Sequence, residues 1–225
     1  MRPHSTHAGR AFPLTGLRLT TPRLDLRLPT AERLAELAAL AAKGIHDPAE
    51  MPFLTPFTDA LPEEVARSVV QHHWRVLGAL TPAEWALEFT VVCDGVVVGQ
   101  QAISAQDFSV TREVRTGSWL GLAHQGSGLG TEMRAAVLHL AFAGLGAEEA
   151  RTGAFEDNVA SLAVSRKLGY ADDGIARHAV RGKAVVERRM RLTRQAWQRH
   201  RSVPVTVRGL QPCLPLLGVD AAQTR

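Results

Sequence analysis

Gln125-Gly126-Ser127-Gly128-Leu129-Gly130-Thr131 is the stretch on which the reading of this chain turns. It sits between a strand-like run, 116–122, and a helix-like run, 131–143, whose Met133, Val137 and Leu140 share one face. Three glycines within five positions let backbone N–H groups converge without side-chain obstruction. A helix that starts there adds the positive end of its dipole, so the segment suits a pyrophosphate without needing a lysine. The plain alternative is a flexible turn leading into a helix. Two other phosphate loops fail on spacing. The dinucleotide fingerprint needs G-x-G-x-x-G, and the P-loop needs Lys followed by Ser or Thr. Here the glycines run G-x-G-x-G, and Thr131 and Glu132 follow them.

Working outward, 23–28 alternates Leu24, Leu26 and Leu28 with polar residues, as a strand does. Thr30 then caps a helix over 31–43, with Gly44 as its stop. Residues 46–59 hold three prolines and read as a loop; Pro62 opens a second helix to about 77. Asp94-Gly95 joins strands 85–92 and 96–104 in a tight hairpin. Beyond the glycine turn come a short strand at 151–155, a helix over 158–168, and strands 171–177 and 184–192 around Gly182. Thr193 caps a short terminal helix to about 200. The expected fold is a mixed α/β (α+β) sheet, mostly antiparallel, with helices on its faces. The expected domain spans 18–201, between a loose leader at 1–17 and a patternless flexible tail at 202–225.

Composition narrows the function classes. The chain has 225 residues, 45% of them hydrophobic and 21% charged, which suits a soluble globular protein and not a disordered chain. No run of about 20 apolar residues is available to span a membrane, and the first dozen residues lack the apolar stretch of a signal peptide. Two cysteines, Cys93 and Cys213, exclude a disulfide scaffold and suit the cytoplasm. Charge is uneven: residues 51–150 hold 5 basic and 11 acidic groups, residues 151–208 hold 13 basic and 5 acidic. The basic segment invites a polyanion. With only 5% aromatics and no recognised motif, nucleic acid is a poor candidate for it. Without H-E-x-x-H or a carboxylate cluster at ligand spacing, no metal is expected, and without G-x-S-x-G a serine hydrolase is unsupported. His72 and His73 are adjacent on a helix and are not expected to share one face.

Gln125, Gly128 and Gly130 meet the pattern Q/R-x-x-G-x-G/A, which resembles the acetyl-CoA signature of the GNAT (GCN5-related N-acetyltransferase) family. Asn158-Val159-Ala160-Ser161 through Arg166-Lys167-Leu168-Gly169-Tyr170 resembles that family's N-x-x-S/A…K-x-G-F/Y helix. Thr20-Thr21-Pro22-Arg23-Leu24-Asp25-Leu26-Arg27 resembles the start of its ribosomal-protein-alanine (Rim-type) branch. Residues 44–53 and 112–142 look like an actinobacterial subgroup, some of whose members are associated with succinyl-CoA.

The resemblance implies an acyl-CoA-dependent N-acyltransferase, with acetyl-CoA or another acyl-CoA as co-substrate and a small-molecule or protein amine as acceptor. The alternative is a GNAT-like acyl-CoA sensor without turnover. A monomer and a homodimer are both open. It further implies that Trp119, Leu120 and Leu122 line the pantetheine edge. The loop Gln125, Gly126, Ser127, Gly128, Leu129, Gly130 and Thr131 would hold the pyrophosphate. Asn158 would meet the pantetheine arm, and Arg166 and Lys167 the 3′-phosphate. Ser161 or Ser165, four apart on one helix face, would serve the leaving thiolate. The glutamate that some Rim-type enzymes carry is absent, with Val180 near its place and His178 nearby. Asp107 and Glu113 remain base candidates. Arg112, Arg115, Arg177 and Arg181 are candidates to meet a succinyl carboxylate. Met51-Pro52-Phe53, Phe57 and Trp74 are expected as an aromatic cluster, more core than site.

Overall fold

A computed structural model describes residues 11–219. Among them, nine strands form one sheet in the order β7-β8-β6-β5-β4-β3-β2-β1-β9. They are β1 (Arg18–Thr20), β2 (Leu24–Arg27), β3 (Glu84–Cys93), β4 (Val96–Gln106), β5 (Glu113–Leu120), β6 (Glu149–Phe155), β7 (Ala171–Val180), β8 (Lys183–Thr193) and β9 (Thr206–Arg208). Every neighbouring pair is antiparallel except β5 and β6, which run parallel. That exception follows from the helix between them, because a parallel return needs a crossover.

The helices are α1 (Ala31–Ala42), α2 (Pro62–Gly78), α3 (Leu129–His139), α4 (Val159–Lys167) and α5 (Arg194–His200). Thr30, Asn158 and Thr193 cap α1, α4 and α5, each side-chain oxygen accepting from the backbone N–H three residues on. On one face of the sheet, α1 and α2 bury Leu34, Leu37, Val65 and Val69 around Val97 of β4. On the other, α3 and α4 close over the larger core of Leu26, Phe89, Ile103, Val137 and Leu162. Trp197 of α5 stacks on Phe142 at 5.1 Å to complete it. Both hairpin tips take paired positive φ angles: 48° and 82° at Asp94-Gly95, 48° and 73° at Arg181-Gly182.

Several expectations shift. The strand expected at 116–122 runs from Glu113 to Leu120. The helix expected from 131 begins at Leu129, and its tail, Leu140–Leu145, widens into a π-helical turn. The leader and tail differ most in the described part. Pro13–Gly16 forms a 3-10 turn that buries Leu14 and Leu17 completely. Thr206–Arg208 adds an edge strand to β1, and Gln211–Leu217 is a 3-10 helix that buries Cys213, Leu214 and Leu217. The Trp85 indole N–H donates to the Leu217 carbonyl at 3.0 Å, tying that helix to β3. Prolines 204, 212 and 215 erase any helical or strand period, so only packing shows where this segment goes. Residues 1–10 and 220–225 lie outside the described residues. Among those described, no helix is long and apolar enough to cross a membrane.

Leu214→Ala should lower stability by about 2–5 kcal/mol, the range for a large apolar side chain deleted from a core. Chemical denaturation checks it; a change within about 0.5 kcal/mol, as for a surface site, would show that the segment is not part of the core.

Candidate active site

The parallel pair gives the site its shape. Glu113, Val114 and Arg115 pair with Glu149, Ala150 and Arg151, and then β5 and β6 part. β5 runs on to Leu120 along β4, and β6 to Phe155 along β8. In the gap a side chain replaces the ladder: the Thr152 hydroxyl donates to the Thr116 carbonyl at 3.0 Å. Backbone groups alternate edges along a strand, so the Ser118 and Leu120 amides lie on the same edge as that carbonyl, facing the gap. The Gly117 carbonyl faces the other way and accepts from Gln101 Nε2 at 3.0 Å. Leu120 sits in the large core under α3, whereas Trp119 points to the opposite face and packs against the smaller core of α1 and α2.

At the end of β5 the chain makes a 3-10 turn, Leu122–His124, with Leu122 half exposed, and enters the glycine loop. Gly126 and Gly128 have φ of 73° and 83°, left-handed values that L side chains strain to adopt. Gly128 is the N-cap of α3 and offers no side chain. The first helical bond is Glu132 N–H to the Gly128 carbonyl at 3.2 Å, so the amides of Leu129, Gly130 and Thr131 precede any intrahelical acceptor. Those amides and the helix dipole suit an anion of phosphate type. The Gln125 side chain is engaged within the protein. Its side-chain amide donates to the carbonyls of Ile45 at 2.8 Å and Leu120 at 2.9 Å, bracing the loop against β5 and the end of α1. Ser127 donates to the His124 carbonyl, and its own carbonyl accepts from Arg23.

The loop is fixed from across the molecule by a residue that no motif marks. Glu132, buried in the first turn of α3, accepts from the Thr21 hydroxyl at 2.6 Å, Arg23 N–H at 3.0 Å and Arg23 Nε at 2.6 Å. Arg23 Nη1 reaches on to the Ser127 carbonyl at 3.1 Å. The Thr-Pro-Arg segment before β2 is therefore a clamp on the glycine loop. Burial alone would raise the Glu132 pKa, but the hydrogen bonds from Thr21 and Arg23 outweigh it and hold the carboxyl below its ordinary value.

The two serines of α4 are not equivalent. Ser165 is buried; its hydroxyl donates to the Ser161 carbonyl at 3.0 Å and accepts from Arg134 Nη1 at 2.9 Å. Ser161 is half-buried, and its N–H is taken by the capping Asn158 Oδ1 at 3.1 Å, which leaves the Asn158 amide N–H groups as donors. Arg166 and Lys167 lie exposed at the end of the helix.

On the α1–α2 face, above Gly117, a Cβ would meet open space. Across the gap on β6, a Cβ at Gly153 would collide with the Glu187 carboxylate, which lies on that glycine. Glu187 Oε2 and His178 Nε2 are 2.9 Å apart. No sequence signal marks Glu187, because β8 reads as an ordinary strand and nothing in its spacing places it over Gly153. Asp107, Glu113 and Arg115 line one cleft of about 520 Å³, but Glu113 is paired with Arg151 Nε at 2.5 Å, where β5 and β6 are still joined. Arg181 pairs with Asp59 and fastens the β7–β8 tip to the α1–α2 loop. Arg112 lies over the Phe108 ring, and Arg177 is half exposed on β7. Phe53 and Phe57 pack at 5.1 Å, but Trp74 stands apart, 65% exposed, on the solvent side of α2. His72 and His73 do converge on one polar cluster, contrary to expectation. His73 Nε2 meets Gln100 at 3.0 Å, His72 Nε2 meets Glu88 at 3.3 Å, and Gln100 donates to Glu88. Neighbouring strands bring Glu88 and Gln100 together beneath both rings. Among the described residues, no cluster of His, Cys, Asp and Glu could hold a metal.

The sheet is mostly antiparallel and opens at one parallel pair, with the glycine loop and the N-terminus of α3 at the mouth of the opening. A family model described as an acetyltransferase (GNAT) domain matches residues 23–171, and the chain belongs to the GNAT family of N-acetyltransferases. Three solved structures share the fold. RimJ from Mycobacterium smegmatis, in complex with a CoA disulfide, is 17% identical, with 82% of this chain and 93% of that one covered and a TM-score of 0.62. RimL, a ribosomal L7/L12 alpha-N-protein acetyltransferase solved with coenzyme A, is 16% identical over 77% and 95%, at 0.61. A GCN5-related N-acetyltransferase from Brucella melitensis is 19% identical over 80% of each chain, at 0.64.

Glu132→Gln should lower stability at neutral pH, with a penalty that fades in acid. A carboxyl whose pKa is depressed on folding contributes above its ordinary value of 4.5 and loses that contribution as pH falls below it. Urea midpoints of parent and variant should therefore differ at about pH 7 and converge towards pH 3. A constant difference would show that Glu132 acts by shape and not by charge.

Proposed function

We propose that this chain transfers an acetyl group from acetyl-CoA directly to a primary amine, with the gap between β5 and β6 as the pantetheine site. The observation that supports this most is the parting of the strands beside the glycine loop: a peptide-like arm can pair with a strand edge in β-augmentation while its pyrophosphate rests on α3. In this reading Leu129, Gly130 and Thr131 supply amides to the pyrophosphate, and Asn158 donates to the arm. Trp119, Leu120 and Leu122 flank it, and Arg166 with Lys167 meets the 3′-phosphate. The Ser118 amide polarises the thioester carbonyl and steadies the tetrahedral oxyanion.

The amine approaches from the α1–α2 face, over Gly117. It must lose a proton to attack, and Glu187, backed by His178, is the group whose position suits that task best. Of the two serines, Ser161 is the one placed to hydrogen-bond the sulfur, since the Ser165 hydrogen is already committed. The RimL and RimJ likenesses favour a protein N-terminus as acceptor over a small amine. Succinyl-CoA would need a cation at the acyl end; Arg115, beside the joined strands, is the arginine nearest to that requirement. Cys93 and Cys213 are free thiols, which suits a reducing cytoplasm.

Acetyl-CoA at a hundredfold excess over its dissociation constant should stabilise the protein by about 2.7 kcal/mol. Thr131→Glu places a negative charge in the first turn of α3, where it suits the helix dipole but repels a pyrophosphate. The variant should match or exceed the parent in stability without ligand and lose the acetyl-CoA shift; an intact shift would argue against the loop as the phosphate site.

Turnover is measured as CoA release with peptides bearing free N-terminal residues, a lysine peptide with a blocked N-terminus, and spermidine. Glu187→Gln should reduce the rate by roughly 10²–10⁴-fold with little change in acetyl-CoA affinity, the signature of a lost base. A parent rate in this variant would remove Glu187 from the mechanism, and acyl-CoA binding without release to any amine would favour a sensor.

A further inference from the structure

Arg134 of α3 is among the most buried polar side chains, 5% exposed, and no carboxylate pairs with it among the described residues. Its guanidinium reaches two hydroxyls. Nη1 donates to Ser165 Oγ at 2.9 Å and Nη2 to Ser118 Oγ at 3.0 Å. Its Nε–H has no partner among the described residues. The side chain therefore bridges α3, α4 and the edge of β5, and it floors the gap on the α3–α4 side. The titratable group that acts on it electrostatically is Tyr170, which follows α4. That phenol meets the Thr116 hydroxyl at 3.2 Å, and burial pushes its pKa up, so it stays neutral. Glu132, two residues earlier on α3, is turned away to Thr21 and Arg23. Ser118, Ser165, Tyr170 and Thr116 are thus all uncharged, and a guanidinium does not deprotonate in a protein. A buried, unanswered positive charge costs stability unless a partner arrives.

We propose that Arg134 is a catalytic residue, whose charge is answered by the thiolate that leaves the acyl group. The inference rests on the gap being the acyl-CoA site. The amine lone pair forms the C–N bond, the C–S bond breaks, and its electron pair goes to sulfur. The ammonium proton passes to Glu187 or to water. The sulfur departs as an anion on the guanidinium's side of the gap and takes its proton from solvent on release. Ser165 holds the guanidinium in place, since its own hydrogen is spent on the Ser161 carbonyl. A fixed cation in a desolvated site acts where charge develops, and it stabilises the transition state more than the neutral thioester.

The binding arm of the test needs no acceptor amine. CoA and desulfo-CoA, which lacks the thiol, are titrated by calorimetry from pH 6 to 10 into the parent and into Arg134→Met, whose side chain keeps the length and loses the charge. If Arg134 favours the thiolate, the bound thiol titrates below that of free CoA, an alkyl thiol less acid than a cysteine side chain at roughly 8.5. CoA should then gain on desulfo-CoA as pH rises, by about fivefold at the free thiol's own pKa and towards about tenfold above it, when the bound thiol ionises about one pH unit lower than the free thiol. Other titrating groups, Tyr170 included, act on both nucleotides and cancel in the ratio. Arg134→Met should flatten the ratio and reduce turnover by roughly 10²–10³-fold at unchanged acetyl-CoA affinity. A ratio that does not change with pH in the parent overturns the proposal whether or not the variant folds; so does a rise that persists in Arg134→Met. Failure of both nucleotides to bind would instead strike the acyl-CoA reading, and this proposal with it.

Discussion

β5 and β6 keep their ladder for three residues and then separate, and the candidate site occupies that separation. Each strand stays extended because a different neighbour holds it, β4 on one side and β8 on the other. The gap can therefore open without fraying the sheet, and polar side chains attend its opened edge. The Thr152 hydroxyl takes the Thr116 carbonyl, and the Arg134 guanidinium takes the Ser118 hydroxyl. An edge dressed this way leaves the Ser118 and Leu120 amides facing the gap. Without the separation, the glycine loop would be an anion site with nothing beside it to transfer.

The same constraint orders the two faces. Thr116, Ser118 and Leu120 face α3 and α4, where the loop, the capping Asn158 and Arg134 collect; Gly117 and Trp119 face α1 and α2. In the proposed reading the cofactor half of the site is built on helices, with basic residues at the far end of α4. The acceptor half is then built on strands, with the Glu187–His178 pair lying on Gly153. The β7–β8 tip is fastened to the α1–α2 loop through Arg181 and Asp59, which sets one wall of the acceptor side.

Glu132 shows how one buried carboxylate links parts of the chain more than a hundred residues apart. Thr21 and Arg23 hold it, and Arg23 continues to the loop carbonyl at Ser127. The loop keeps the backbone angles its glycines permit because the far end of the domain grips it. A loop of glycines alone would be free to sample other conformations.

Much of this was legible in the residues. The glycine loop, the caps at Thr30, Asn158 and Thr193, the Asp94-Gly95 and Gly182 turns, and the alternation of helices and strands are local properties, set by propensity and period over a few residues. The three motif blocks pointed to the family for the same reason, since each is contiguous. What the sequence could not show depends on contacts between distant positions. The motif does not reveal that the Gln125 side chain braces the fold, because its partners at Ile45 and Leu120 come from other segments. Ser161 and Ser165 look interchangeable at helical spacing, yet Arg134 singles one out. Glu187 is one polar residue on a strand until pairing with β6 lays it over a glycine. The proline-rich segment after 202 carries no period, and only the complementary surface of β1 and β3 decides that it is buried. Local chemistry determined the elements and the loop. The charge balance inside the gap, and the residues that face it, were decided by which strands lie side by side.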